Sequence, residues 1–363
     1  MNRRLLRFLD WPLLLVTLVL VAGGVVVLYS ATQAAGTGPA FVKIRLIHAA
    51  VGLIALAILA ATDYQMLASA WRPILVGTIV LLALVDVAGR SAMGAQRWIS
   101  LGPLGGFQPS EVAKLALIIA LAKLVEPRET WPWTAVGGLV LAAAVPAVLI
   151  VGQPDLGSTL VVVAIFAAVM FAGGAPARVL ASLAVAGAAA VPLVWGLLRD
   201  YQRARLAVFL DPGIDPLGAG YALIQSKIAV GSGQLWGKGF LAGTQNLLHF
   251  IPEQHTDFIF TVIGEEFGFA GALIMLALFA VWVGRGLSIA RSAKDRLGML
   301  LAVGVVAMVA FHLFVNIGMT VGLMPITGIP LPFISHGGTA LVVMLGSTGL
   351  LLSIGMRRKK ILF

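Results

Sequence analysis

The chain has 363 residues, 60% of them hydrophobic and 11% charged, with a formal net charge of +10 and no cysteine. A soluble domain carries about 25% charged residues, so no soluble fold hides this much apolar surface and a polytopic membrane protein is implied. The lack of cysteine excludes disulfides, thiol catalysis and Cys-based metal sites. The basic residues sit at the ends of apolar runs rather than on one soluble face, which argues for membrane topology and against nucleic acid.

A bilayer span needs roughly 20 consecutive apolar residues, and about ten such runs are visible, near 11–31, 44–61, 72–88, 109–125, 133–151, 156–173, 177–198, 257–284, 297–321 and 335–356. They lack the alternation of barrel strands, so the expected class is an all-α polytopic membrane protein with both termini on one side. That side holds Arg3, Arg4, Arg7, Arg72, Arg128, Arg178, Arg285, Arg291, Lys294, Arg296, Arg357, Arg358, Lys359 and Lys360, whereas the short loops opposite hold only Lys43, Arg45, Arg90 and Arg97. Excess Lys and Arg mark the cytoplasmic face. Both termini are therefore predicted to be cytoplasmic, and the long polar stretch between the seventh and eighth spans to face outward. The expected division is 1–198 for spans one to seven, 199–256 for an extracytoplasmic loop, and 257–363 for the last three spans with a re-entrant outer loop. The start, Met1 to Trp11, reads as a basic lead into the first span rather than a cleavable signal peptide.

Polar residues in so apolar a chain need a reason. Arg97 lies in an outer loop, and Gln108-Pro-Ser-Glu111 then opens the fourth span, where Glu111 and Lys114 share one helical face. The plain reading is a capped helix with an ion pair. The other reading is a cavity, because ionisable groups inside a span are costly and usually line one. In Gln153-Pro-Asp-Leu-Gly157, Asp155 reads first as turn chemistry at a helix start, although a carboxylate there can also bind a cation or sugar hydroxyls. In the long loop, apolar positions 221, 224 and 228 with Gln225, Ser226 and Lys227 between them read as a helix lying in the headgroup region. The glycine-rich stretch 231–239 is rich in backbone donors. Arg203, Arg205, Lys227 and Lys238 together make a surface suited to lipid headgroups or a pyrophosphate.

Glu253, His255 and Asp257 follow at the mouth of the eighth span. Asp257 is expected in the first helical turn, where the helix dipole favours a carboxylate and the adjoining Phe258-Ile-Phe260 desolvates it. Those effects oppose each other. Glu265 and Glu266 cannot both face lipid, so at least one is expected to line a polar interior. Finally, Asn316 to Gly338 carries three prolines and repeated glycines, reading as an irregular loop tolerated only against protein or a water-lined cavity. His336 within it reads more readily as a hydrogen-bond partner than as a base.

Gln108-Pro-Ser-Glu111 with Lys114, Gln153-Pro-Asp-Leu-Gly157, Pro252-Glu-Gln-His-Thr-Asp-Phe-Ile-Phe260 with Gly264-Glu-Glu266, and Thr327-Gly-Ile-Pro-Leu-Pro-Phe-Ile-Ser-His-Gly-Gly338 together resemble the SEDS family (shape, elongation, division and sporulation) of bacterial cell-wall synthases. Tyr201-Gln-Arg-Ala-Arg205, Asp215-Pro-Leu-Gly218 and Gly318-Met are closer to its elongation members than to its division members. One departure is His336, where tyrosine is frequent. The resemblance implies a peptidoglycan glycosyltransferase of the bacterial cytoplasmic membrane that polymerises lipid II on the outer face. It also implies a class B penicillin-binding protein as transpeptidase partner, among other elongation-complex membrane proteins.

The family's catalytic aspartate falls on Asp257, and its essential polar pair on Glu111 and Lys114. Substrate contacts are expected from Arg97, Gln108, Asp155, Arg203, Arg205, Lys227, Lys238, Glu253, His255 and His336. A divalent cation, magnesium or manganese, is the only helper expected, with no metal ligands assigned and no organic cofactor. Rival readings are a flippase for the same lipid-linked precursor, a division-specific synthase with the same chemistry, or a scaffold in which Asp257 is replaceable.

Overall fold

The computed structural model describes residues 8–33, 36–92, 95–100, 102, 105–218, 220–248 and 250–358. Arg3, Arg4, Arg7, Lys359 and Lys360, which entered the charge argument, lie outside these. In chain order the elements are α1 (Trp11–Gln33), α2 (Gly38–Ala61), a short α3 (Tyr64–Ser69), α4 (Trp71–Ala88), strands β1 (Arg90–Ala92), β2 (Ala95–Ser100) and β3 (Gly106–Phe107), then α5 (Pro109–Val125), α6 (Trp133–Gly152), α7 (Leu156–Ala172) and α8 (Ala177–Leu197). The long loop contributes α9 (Asp200–Leu210), α10 (Tyr221–Ser232) and α11 (Thr244–Leu247), and the chain ends with α12 (Ile259–Arg291), α13 (Arg296–Val321) and α14 (Gly338–Met356).

Among the described residues, helices α1, α2, α6, α12, α13 and α14 are the 6 that are long and apolar enough to cross a membrane, and α4, α7 and α8 carry shorter apolar stretches. Helix α5 spans 17 residues and is interrupted by Glu111 and Lys114 near its start and Lys123 near its end. Every apolar run read from the sequence thus coincides with a helix, and the chain is an all-α polytopic membrane protein. Small residues let the helices close up, as expected where lipid gives no hydrophobic drive between them. At Gly349 of α14 an added Cβ would fall 2.3 Å from the Leu56 carbonyl of α2. Helix α14 is buried over most of its length between α2, α5 and α13.

Several departures from expectation matter for the site. Strands β1, β2 and β3 form a small antiparallel sheet, in that order and with Ile99 opposite Phe107, where only a loop was foreseen. Helix α2 begins at Gly38 rather than near 44, which takes Arg45 into the bundle, 1% exposed. Helix α10 buries Leu223, Ser226 and Ala229 against α12 and α13, with Ser226 Oγ donating to the Thr320 carbonyl at 2.5 Å, and leaves Ile228 of its 221/224/228 face exposed.

Helix α12 starts at Ile259, so Asp257 precedes it in a turn instead of occupying its first turn, and Phe258 supplies no side-chain cap. Helix α14 starts at Gly338, which leaves His336 in the preceding loop. Helix α12 is also broken at Gly268, whose φ of 66° and ψ of −162° are non-helical. The glycine-rich segment fills the break: Lys238 and Gly239 N–H groups donate to the carbonyls of Glu265 and Glu266, while Phe269 and Ala270 N–H groups donate to those of Gln234 and Leu235. Only glycine fits, since a Cβ at Gly268 would lie 2.3 Å from the Gly237 nitrogen. The backbone donors of this stretch are therefore used inside the protein and do not form a phosphate cradle.

Candidate active site

Residues of α5, α7, α9 and α13, the β2 strand, the turn before α12 and the loop before α14 enclose a cavity of about 250 Å³. Its walls include Arg97, Gln108, Glu111, Lys114, Asp155, Arg205, Glu253, Asp257 and His336, nine of the residues singled out from the sequence, together with Trp98, Ser158, Tyr201, Thr256 and His312. Four expected residues do not line it. Arg203 turns back to the Trp195 and Gly196 carbonyls and to Asp200 at 3.9 Å. Lys227 is exposed and lies across Gly322. Lys238 is ion-paired with the buried Glu265 at 2.7 Å. His255 packs its ring edge-on to Phe41 and gives its carbonyl to the His336 N–H at 2.9 Å.

Asp257 is half-buried at the cavity wall. Burial raises its pKa to about 6, Arg205 opposes the rise, the Glu253 charge adds to it, and Thr256 and Arg97 counter it. Among the described residues no cation stands within ion-pair distance of it. Its backbone is clamped: Asn316 Nδ2 donates to the Asp257 carbonyl at 2.8 Å and to the Ile329 carbonyl at 2.7 Å. Gly328 at φ 74° brings the loop over the carboxylate, so close that a Cβ there would sit 3.3 Å from Oδ2. Ser335 Oγ donates to the Thr256 carbonyl at 2.5 Å, and the Arg45 guanidinium donates to the Ser335 and Phe333 carbonyls. Irregular backbone at this depth is satisfied by buried side chains, as a membrane interior requires.

Opposite lies the pair from α5. Lys114 Nζ donates to Glu111 Oε1 at 2.6 Å and meets His312 Nε2 at 3.1 Å, while His312 Nδ1 stands 3.2 Å from the Pro330 carbonyl. With Nδ1–H donating to that carbonyl, Nε2 is left as the acceptor for the ammonium. Lys114 is thus tied to the same loop that covers Asp257. Glu111 Oε2 is buried with no partner. Asp155 caps α7, accepting from Ser158 N at 3.1 Å and Ser158 Oγ at 2.8 Å, and also holds Gln108 Nε2 at 3.1 Å. The turn reading of Asp155 therefore holds, and the same carboxylate faces the cavity. Arg97 donates to the Gln153 and Pro154 carbonyls, and Arg205 stacks on the Tyr201 ring at 5.6 Å.

Burial lowers the pKa of His336 to about 3, helped by the neighbouring His255, Arg45 and His48. Burial also lowers that of His255. Both therefore stay neutral, and the hydrogen-bonding role read for His336 is met by its backbone N–H alone, since its Nδ1 is buried without a hydrogen-bond partner among the described residues. Glu265 and Glu266 line a separate polar interior: Glu265 Oε1 takes Lys238, Thr244 Oγ1 at 3.1 Å and the Gln245 N–H at 3.1 Å, and Glu266 takes Ser30 Oγ at 2.5 Å. Residues not foreseen as part of the site are Tyr201, His312, Asn316 and Arg45. A signal existed for two of them, since His312 and Asn316 stand one helical turn apart on one face of an otherwise apolar helix. Among the described residues no three His, Asp or Glu side chains converge to hold a metal ion.

Comparison with known proteins agrees with this picture. Residues 10–360 match the model of the FtsW, RodA and SpoVE family, described as cell cycle proteins. A peptidoglycan glycosyltransferase MrdB of Escherichia coli K12 is 41% identical, over 97% of this chain and 94% of its own. A probable peptidoglycan glycosyltransferase FtsW of Geobacter metallireducens is 37% identical, over 99% and 98%. A chain from a solved peptidoglycan synthase complex described as coordinating polymerization and crosslinking superposes with a TM-score of 0.83 at 34% identity, covering 97% of this chain and 99% of that one. The rod shape determining protein RodA of Thermus thermophilus superposes with 0.73 at 30% identity, over 96% and 97%. With a matched family model, relatives and neighbours spanning nearly the whole length, and the motif residues gathered around one cavity, this chain belongs to the FtsW, RodA and SpoVE family.

Proposed function

We propose that the chain is a peptidoglycan glycosyltransferase of the cytoplasmic membrane that polymerises lipid II at the outer face during cell elongation. The observation that carries the reading is the cavity itself. A carboxylate with a pKa of about 6 and, among the described residues, no cation in direct contact shares about 250 Å³ with Arg97, Arg205 and Lys114. The likeness to MrdB, which carries that activity in its name, supports it.

The growing glycan presents an α-linked undecaprenyl pyrophosphate at its anomeric carbon, and the 4-hydroxyl of the incoming lipid II attacks to give a β-linkage. Inversion in one displacement needs one base and a stabilised leaving group. Asp257 accepts the hydroxyl proton, since a base works best with a pKa near the ambient pH. Arg97, Arg205 and Lys114 neutralise the departing pyrophosphate, which leaves as an anion and needs no second carboxylic acid. Glu111 holds Lys114 from one side and His312 from the other. A magnesium or manganese ion would add positive charge at the departing pyrophosphate and would need few protein ligands. The transpeptidase partner, a class B penicillin-binding protein, is inferred from the similarity to a complex that couples polymerization to crosslinking.

The test is purified protein supplied with lipid II. Polymer from the unaltered chain and none from Asp257→Asn supports the synthase. Headgroup translocation without polymer makes the chain a flippase, and polymer of undiminished yield from Asp257→Asn removes the base.

A further inference from the structure

The segment that fills the break in α12 is built inside out for a loop in water. Its one cation, Lys238, turns inward to the fully buried Glu265 at 2.7 Å. Its large apolar side chains turn outward, with Trp236 82% and Leu235 63% exposed. A solvated loop does the reverse. The Phe240 ring lies outside as well, 6.3 Å from that of Phe267 on α12.

The height of this segment is set by backbone geometry. Phe269 N–H donates to the Gln234 carbonyl at 2.8 Å and Ala270 N–H to the Leu235 carbonyl at 3.0 Å, so residues 234 and 235 sit level with the break at Gly268. From Gly268 to Arg285 the helix runs about 26 Å at about 1.5 Å per residue, close to the roughly 30 Å of bilayer hydrocarbon. Arg285, ion-paired with Asp10 at 2.5 Å, marks the cytoplasmic end. The break therefore stands at the outer boundary of the hydrocarbon. Just past the break, Phe269 is 61% exposed, and Leu273 and Ile274 one turn further along are exposed as well.

We infer that residues 235–240 form an anchor set into the outer leaflet, with Trp236 at headgroup depth, where indole rings favour the interface. The occupant of this surface is lipid. The Lys238–Glu265 pair on its inner side fastens the anchor to α12, and α12 follows directly on the Asp257 turn. The long loop is thereby tied to the membrane as well as to the bundle.

The absence of native cysteine makes a single-site test direct. Trp236→Cys carries an environment-sensitive fluorophore in the full chain, reconstituted in phosphatidylethanolamine and phosphatidylglycerol vesicles, with Phe240→Cys as an independent second site. The expected result is a blue-shifted emission, at least twofold stronger quenching by lipids bearing a nitroxide near the headgroup than by those bearing it at the chain end, and little quenching by iodide. Full iodide quenching with no effect of the lipid nitroxides overturns the inference. So does a probe indifferent to lipid nitroxides that is shielded from iodide only when the transpeptidase partner is added, which assigns the surface to protein docking.

Discussion

Two carboxylates lie eight residues apart at the outer end of the eighth span, and the bundle treats them differently. Glu265 is fully buried, pairs with Lys238 at 2.7 Å and takes two more donors on the same oxygen. Asp257 opens onto a cavity, and the nearby arginines act on its charge without touching it. The first arrangement spends its charge on fastening a loop. The second leaves a carboxylate free to take a proton, and under the proposed function the difference separates a structural acid from a chemical one.

The largest effect that tests this contrast is on the chemical side. Asp257→Asn should lower turnover by about 10²- to 10⁴-fold while leaving thermal unfolding unchanged; a matching fall in the melting temperature would mean that Asp257 is structural too. On the other side, Lys238→Ala leaves a buried carboxylate without its cation. That should cost about 3 kcal/mol of stability, read in a thermal shift assay, with Lys238→Ala/Glu265→Gln recovering most of it. Next comes His312. Leucine there removes the acceptor from Lys114 and should reduce kcat about 10- to 100-fold, the worth of a bond to a charged group, with KM little changed. Glutamine, which offers both an acceptor and a donor, should restore most of the rate, and equal damage by both would refute the positioning role. The smallest effect is on pH. Turnover should fall about tenfold per unit of acidification below about 6, as Asp257 takes up its proton. His336, pushed down to about 3, contributes nothing to that limb, so a midpoint far from 6 points to another base.

The helices were legible because their apolar runs leave few other structures possible in lipid. The site was legible where charge or a family motif marked it, as at Glu111, Lys114 and Asp257. What escaped depended on three-dimensional neighbours. Arg45 counted as a loop charge until α2 proved to begin at Gly38 and carried it to the loop carbonyls. His312 was passed over because, amid apolar neighbours, nothing local says that it meets Lys114. Lys238 looked like a phosphate ligand because a glycine-rich stretch with a lysine is ambiguous until its backbone donors are followed to the carbonyls of Glu265 and Glu266. The β1-β2-β3 sheet was hidden by strands only two to six residues long.

Arg45, which grips the Phe333 and Ser335 carbonyls, has counterparts in Arg97 on Gln153 and Pro154 and Arg296 on Arg128 and Gly173. Each guanidinium bridges two peptide oxygens, the fork geometry that lysine cannot reproduce. These are staples made without sulfur. The two staples beside the cavity, Arg45 and Arg97, need no oxidative maturation, and neither reductants nor shifts in external redox balance will loosen the walls they hold.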